Sequence, residues 1–242
     1  MDRDVKILAG SVKHSVSMNL APVSNKCYQH PGNHRVVEMI PGDARIVLDV
    51  GCGAGDNARL LKARGMTVDG ITLSESEAEL ARGECRHVWL HNLETGLPGE
   101  IAGPYDAVLC SHVLEHICFP EKLLADIRRV LGPEGSLVVA LPNMVYFKNR
   151  LRLLCGRIEY EEGGVMDNTH FRWYTFASAR RLLERNGFER VLAQADGSFP
   201  LPGLRRLLPP AWLAPFDRAA VAMLPGLLGH QLLYRYRKAP QP

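Results

Sequence analysis

Short, almost wholly apolar runs alternate along the first 140 residues with stretches whose apolar positions recur every three or four residues. Read in order, the pattern predicts a strand over 45–50, a helix from Asn57 to Arg64, a strand from Thr67 to Thr72, a helix from Ser76 to Gly83 and a strand from Arg86 to Leu90. A fourth strand runs from Tyr105 to Cys110, followed by a helix from Pro120 to Leu131 that Gly132-Pro133-Glu134-Gly135 stops and turns. Ser136 to Leu141 is a fifth strand, apolar at nearly every position, as befits a strand covered on both faces. Strands alternating with helices in this way imply an α/β protein with a mostly parallel, doubly wound sheet. Such sheets bind ligands beyond the carboxyl ends of their strands, so functional residues are expected just after each strand.

The pattern then changes. Asn143 to Tyr174 is rich in aromatic residues, arginine and glycine without clean periodicity, and it precedes a helix from Phe176 to Asn186 that Gly187 closes. Phe188 to Ala195 reads as a strand, a proline-rich tail follows, and His230 to Tyr236 is a last strand. The chain divides accordingly into an N-terminal cap segment, 1–43, and one domain, 44–242, in which 143–175 is a substrate loop and 198–228 a C-terminal insertion.

Composition narrows the class. With 242 residues, 46% hydrophobic and 23% charged, the chain is long enough for one large α/β core and too apolar for disorder. A net charge of +3 and short basic clusters such as Arg205-Arg206 and Arg235-Tyr236-Arg237-Lys238 argue against nucleic acid, which is usually met by a concentrated basic face. The six cysteines have no CxxC spacing, and several lie in apolar runs, which suits a reducing compartment. No signal-peptide core is evident near the N-terminus, so a cytoplasmic location is expected. The best candidate for a membrane span, Ala219 to Tyr234, is broken by Pro225, Gly226 and Gly229 and falls short of the ~20 apolar residues needed.

The densest chemical signal is Ile46-Val47-Leu48-Asp49-Val50-Gly51-Cys52-Gly53-Ala54-Gly55-Asp56, a strand that ends in an acid and three alternating glycines. Glycine there permits positive φ angles and lets a ligand approach the main chain. The third glycine comes too early for the dinucleotide-binding fingerprint. With Asp49 ahead of Gly51, Gly53 and Gly55, the stretch resembles the first motif of the class I S-adenosylmethionine-dependent methyltransferases. Tyr105 to Cys110, followed by Ser111-His112-Val113-Leu114-Glu115-His116, resembles that family's fourth motif and the Leu-Glu-His box after it, and the resemblance extends over most of 44–195. It implies a Rossmann-like seven-stranded sheet whose last strand is antiparallel, a lid insertion, and S-adenosylmethionine as cofactor.

Site residues implied by the resemblance follow position by position. Thr72 stands where the family usually has a ribose-binding acid. Thr72-Leu73-Ser74 resembles the corresponding segment of the cyclopropane fatty acid synthases, and Glu77 is placed to supply a carboxylate or to complete a capping box with Ser74. Asn92 replaces an adenine-binding Asp, and Leu93 follows it with the backbone amide that meets the ring. Ser111 and His112 are expected to face the methionine half of the cofactor or the acceptor. Gly164 to Thr175, containing Asp167-Asn168-Thr169-His170-Phe171-Arg172, resembles the substrate loop of a bacterial branch associated with surface-glycan and secondary-metabolite biosynthesis. Tyr28, Asp167 and Arg172 are its candidates for binding the acceptor; His170 is the first candidate base and His112 the second, histidine being suited to proton transfer near neutral pH. The alternative for Asp167 and His170 is a structural role in holding the loop shut.

His112, Glu115 and His116 on one helical face, joined by His170, would resemble the divalent-metal set of small-RNA and ubiquinone O-methyltransferases. The favoured alternative is a buried hydrogen-bonded group that supports the loop. The expected activity is methyl transfer to an oxygen of a small polar acceptor such as a sugar, glycan intermediate or natural-product acid. N-methylation, a catalytically weak cofactor-binding partner subunit and a nicotinamide-dependent oxidoreductase stay open, as does a homodimer.

Overall fold

The computed structural model describes residues 31–240 except 202, 204, 206 and 207. Seven strands form one sheet in the order β3-β2-β1-β4-β5-β7-β6. They are β1 (Ile46–Val50), β2 (Thr67–Thr72), β3 (His87–Leu90), β4 (Tyr105–Ser111), β5 (Leu131–Pro142), β6 (Phe188–Gly197) and β7 (Gly229–Lys238). β1 pairs in parallel with β2 and β4, β5 extends the parallel set, and β7 lies antiparallel between β5 and β6. The helices are α1 (His34–Val37), α2 (Asp56–Ala63), α3 (Glu75–Ala81), α4 (Pro120–Val130), α5 (Phe147–Leu154), α6 (Phe176–Arg185), α7 (Pro210–Met223) and α8 (Pro225–Leu228).

The apolar character of the central strands follows from burial on both faces. Along β1, Leu48 and Val50 join one core with Leu123, Leu124 and Ile127 of α4, whereas Val47 joins the other with Val36, Ala58 and Leu61. By the same two-residue alternation Asp49 shares the face of Val47, which leaves an acid inside the second layer. On β7, Tyr234 and Tyr236 bury whole rings and satisfy their hydroxyls by donating to the Phe176 carbonyl at 2.9 Å and to Glu184 at 3.4 Å.

Three expectations are corrected. β5 begins at Leu131 rather than Ser136: Leu131 pairs with Tyr105, and the pairing resumes only at Ser136 with Ala107, so the expected turn at 132–135 is a bulge inside one strand. A Cβ on Gly135 would stand 2.8 Å from the Tyr105 carbonyl oxygen, which explains the glycine. Second, 143–175 contains α5; of its residues only Asn149 is buried, so its leucines mark no core-facing stripe for periodicity to reveal. Third, the proline-rich 198–228 segment carries α7 and α8. Each has Pro in its first turn, where no amide hydrogen is needed, and α7 also accommodates Pro215. Among the described residues no helix is long and apolar enough to cross a membrane.

The β5–β7 edge and the insertion are joined by Asn143, which is fully buried. Its Nδ2 donates to the carbonyls of Gly226 at 3.0 Å and Gly229 at 2.7 Å, and its Oδ1 accepts from the Val145 amide at 3.2 Å. Asn143→Ala strands these buried groups and is expected to lower stability by about 2–3 kcal/mol, read as a lower urea midpoint with an unchanged slope.

Candidate active site

Beyond the carboxyl end of β1, Gly51, Gly53 and Gly55 all take positive φ angles, 78°, 52° and 88°. The Gly51 and Cys52 amides donate to the Ile71 carbonyl at 2.9 and 2.8 Å, which ties the turn to β2. A Cβ on Gly51 would lie 2.5 Å from Val113, whereas one on Gly53 would meet nothing nearer than Glu77 at 3.9 Å. Gly51 is therefore demanded by packing, and Gly53 by its backbone angle beside open space. That space is a cleft of about 450 Å³ bounded by residues 31–35 and by Gly51, Gly53, Asn57, Glu77, Ser111 and His112.

Asp49 sits at the base of this turn. It is fully buried, and neither carboxylate oxygen has a hydrogen-bond partner among the described residues. Burial pushes its carboxyl up to about 7. A carboxylate so placed is matched to a cationic ligand, whose charge would replace the missing partners.

At the end of β2, Thr72 donates to Glu77 Oε2 at 3.0 Å, while Ser74 Oγ accepts from the Glu77 amide at 3.4 Å. The cap and the carboxylate placement are thus one arrangement, and it sets Glu77 at the cleft wall. Asn92 and Leu93 follow β3 outside that lining. Asn92 Oδ1 is taken up by the Glu94 amide at 3.0 Å, as the cap of a 3₁₀ turn over Leu93–Thr95.

After β4 the chain makes a second tight turn. His112 holds φ at 57°, a left-handed angle unusual for a side chain of its size, while its amide donates to the Ala140 carbonyl at 3.0 Å. Its Nδ1 lies 3.2 Å from Glu115 Oε1 and its Nε2 2.6 Å from Gln231 Nε2. Glu115 is wholly buried, and its main-chain carbonyl accepts from the amides of Phe171 at 2.9 Å and Arg172 at 3.0 Å. Arg172 Nε donates to the Cys118 carbonyl at 2.7 Å. Asp167 Oδ1 accepts from the Thr169 amide at 2.8 Å and hydroxyl at 2.6 Å; burial raises its carboxyl, but those hydrogen bonds outweigh it and hold the group below the ordinary range. His170 Nδ1 lies 3.1 Å from the Val165 carbonyl, and its ring meets His116 edge-on at 4.7 Å.

The structure therefore brings Gly51, Gly53, Glu77, Ser111 and His112 around one cleft, with Asp49 buried beneath the glycine turn. Asp167, His170 and Arg172 gather on the loop packed over Glu115. Tyr28 lies outside the described residues. The expected grouping of His112, Glu115 and His116 on one helical face is corrected: Leu114–His116 is a single 3₁₀ turn, and the His112 ring is turned toward β7. Glu115, His116 and His170 have donor atoms within 4.8 Å of one another and are the residues placed to hold a cation. Burial lowers the His116 pKa, favouring the neutral ring a metal requires, but its Nδ1 already faces the Thr169 carbonyl at 3.2 Å, and loop closure accounts for the contacts of both histidines. The motifs contained no signal for His34, Arg35, Asn57 or Gln231, which reach the site from other elements.

A glycine turn at the end of the first strand of a seven-stranded sheet with one antiparallel strand defines a Rossmann-like architecture. Residues 31–193 match the family described as "Methyltransferase domain", and the chain belongs to the class I S-adenosylmethionine-dependent methyltransferases. It is similar to the ubiquinone biosynthesis O-methyltransferase of Chromobacterium violaceum, 35% identical over 101 residues covering 37% of this chain and 40% of that protein. The protein of the same description from a Caulobacter species is 32% identical over 124 residues, 48% of this chain and 46% of the relative. The matches thus span less than half the length of these curated relatives. Among solved structures, a SAM-dependent methyltransferase from Archaeoglobus fulgidus shares the fold with a TM-score of 0.60 at 19% identity, over 84% of this chain and 90% of that one. One from Mesorhizobium loti gives 0.54 at 20% identity, over 84% and 96%. S-adenosylmethionine carries an ammonium and a sulfonium charge, so the unpartnered Asp49 beside an open glycine turn fits it.

The raised Asp49 carboxyl has a measurable consequence for the ligand-free protein. Between about pH 4 and pH 7 the folded state keeps a proton that the unfolded state has lost, so stability falls as pH rises through that window. Asp49→Asn is expected to remove this contribution, on the order of 4 kcal/mol at the upper end. Urea midpoints of both proteins at pH 5 and pH 8 test this: the variant gains relative to wild type at pH 8.

Proposed function

We propose that the chain transfers the methyl group of S-adenosylmethionine to an oxygen of a small polar acceptor, with His112 as general base. The observation that carries the reading is the juxtaposition, in one cleft, of the glycine turn above an unpartnered Asp49 and of His112 backed by buried Glu115. When bound, the cofactor supplies an electrophilic methyl group on sulfur. The residues supply the rest: Asp49 provides countercharge, Glu77 a carboxylate near the cofactor, and the Gly51–Gly55 backbone a surface for close approach. Neutral His112 takes the proton of the acceptor hydroxyl, and the imidazolium so formed is stabilised by Glu115 3.2 Å from Nδ1. In-line placement supplies much of the remaining acceleration.

Oxygen as the accepting atom is supported by the curated relatives, which are O-methyltransferases by name. Of the two candidate bases, His112 is preferred because it borders the cleft, whereas His170 lies against Val165 and His116. Asp167 and Arg172 act in this reading by holding the substrate loop against Glu115 and Cys118. Arg35, which pairs with Glu38 at 3.8 Å and Asp196 at 3.5 Å, then offers a half-exposed guanidinium for an anionic or hydroxylated acceptor, since it borders both the cofactor cleft and a second cleft of about 590 Å³ between α7 and β6. A sugar, a glycan intermediate or a natural-product acid is the proposed acceptor class.

Calorimetric titration with S-adenosylhomocysteine is expected to show saturable binding that Asp49→Ala abolishes. In methyl-transfer assays over a panel of sugars and small acids, His112→Ala is expected to lower kcat by roughly 10²–10³-fold while S-adenosylhomocysteine affinity stays within a few fold. Binding without turnover across the panel would instead indicate a cofactor-binding partner subunit. An equimolar divalent metal in the purified protein would bring Glu115, His116 and His170 into acceptor binding.

A further inference from the structure

We propose that the cleft between α7 and β6 receives the body of the acceptor, and that it takes an amphipathic organic acid, with an apolar ring or chain and an anionic end, in preference to a sugar. The inference rests on the methyl-transfer reading and narrows its acceptor class. The cleft measures about 590 Å³, within the ~300–1,000 Å³ of sites that hold small organic molecules. Its walls come from segments far apart in the chain: Ala214, Val221 and Ala222 of α7 on one side, Ala193 and Ala195 of β6 and Leu233 of β7 on the other. Val221 and Leu233 are buried, and the short alanine side chains leave the space between helix and strand open. Such walls cover carbon well. They offer a sugar few of the hydrogen-bond partners that its hydroxyls would give up in leaving water.

Charge at the rim selects the other end of the ligand. Arg35, Asp196, Asp217 and Arg218 border the cleft, and both carboxylates are already engaged. Asp217 accepts from Arg205 at 2.9 and 2.7 Å and from the Phe199 amide at 2.9 Å, while Asp196 pairs with Arg35 at 3.5 Å. The exposed Arg218 side chain has no ion pair or hydrogen bond among the described residues, so the uncommitted charge of the rim is positive. The cleft also opens beside the reacting end of the site. Arg35 borders both clefts, and its partner Asp196 stands opposite Gln231, whose side chain touches the His112 ring at 2.6 Å. A ligand whose body lies between α7 and β6 therefore extends its hydroxyl past Arg35 into the cofactor cleft.

The test is equilibrium binding to the full chain and needs no turnover. 1-Anilinonaphthalene-8-sulfonate, an apolar body with an anionic end, is titrated by its fluorescence and then competed with 2-naphthoate, decanoate, glucuronate and glucose. The two apolar acids are expected to displace it; glucuronate, which has the charge without the apolar body, and glucose are expected to leave it bound. Ala222→Trp fills the cleft from α7 and is expected to weaken the dye by about tenfold or more; Ala214→Trp does the same if the first variant does not fold. Arg218→Gln is expected to weaken 2-naphthoate about two- to fivefold, as befits an exposed charge, and to leave neutral 2-naphthamide unaffected. Trp212→Ala, on the outer side of α7 where that ring is 72% exposed, is expected to bind the dye as wild type does. Equal displacement by glucuronate and 2-naphthoate, wild-type dye binding by the folded cleft-filling variant, or loss of the dye in Trp212→Ala overturns the inference. So does a wild-type protein that binds neither apolar acid. S-adenosylhomocysteine is titrated separately. Its binding without that of the acids sinks the inference and spares the methyl-transfer reading; binding of the acids in the cleft without it leaves a ligand site there and places the failure on that reading.

Discussion

Glu115 joins the parts of the site that the chain leaves far apart. Its main-chain carbonyl binds the amides of Phe171 and Arg172, holding the substrate loop on the turn after β4. Its carboxylate lies wholly inside the protein and meets His112 on one oxygen, while the other has no partner among the described residues. A buried carboxylate is tolerated only where nearby donors offset the loss of water. The orientation of the His112 ring, the left-handed φ at that residue and the loop geometry are therefore a single arrangement. Displacing any one of them exposes the cost of the others.

Asp49 presents the complementary case. Where Glu115 has some of its partners within the fold, Asp49 has none among the described residues, and burial shifts its carboxyl up to about 7. Asp49 lies near the carboxyl end of β1 and Glu115 in the turn after the neighbouring β4, with Cys110 of β4 close enough to feel both. Such an arrangement is costly in an empty site and useful in a filled one. A cation bound at the glycine turn would relieve the first acid, and an imidazolium forming at His112 would be stabilised by the second. The fold thus places one carboxyl group at the glycine turn and another beside the His112 ring.

Much of this was legible along the chain, and the reasons differ by element. The central parallel strands could be read because both of their faces are buried, and the helices between them because one face is; β2 and α4 fall almost where the pattern puts them. The pairing of Ser74 with Glu77 could be posed as a capping question because its partners are three residues apart. α5 could not be read, since its exposed Leu151 and Leu154 carry no periodic burial, and α7 was masked by prolines that a first helical turn accepts. Asn92 resembles an adenine ligand, and the structure adds that its oxygen also accepts from the Glu94 amide as a local cap, a contact that residue type leaves undecided.

The sequence by itself determined the alternation of strand and helix, the glycine turn, and the presence of an acid at the end of β1, because each is written in local spacing and in the steric freedom of single residues. Only the tertiary structure decided that Asp49 lacks a partner, that His112 parts from His116 and His170, and that Gln231, 119 residues further along the chain, meets its ring. Those outcomes depend on the register of β7 between β5 and β6 and on the burial of Glu115. Both are set by packing between segments distant in sequence, for which no local pattern of residues carries a signal.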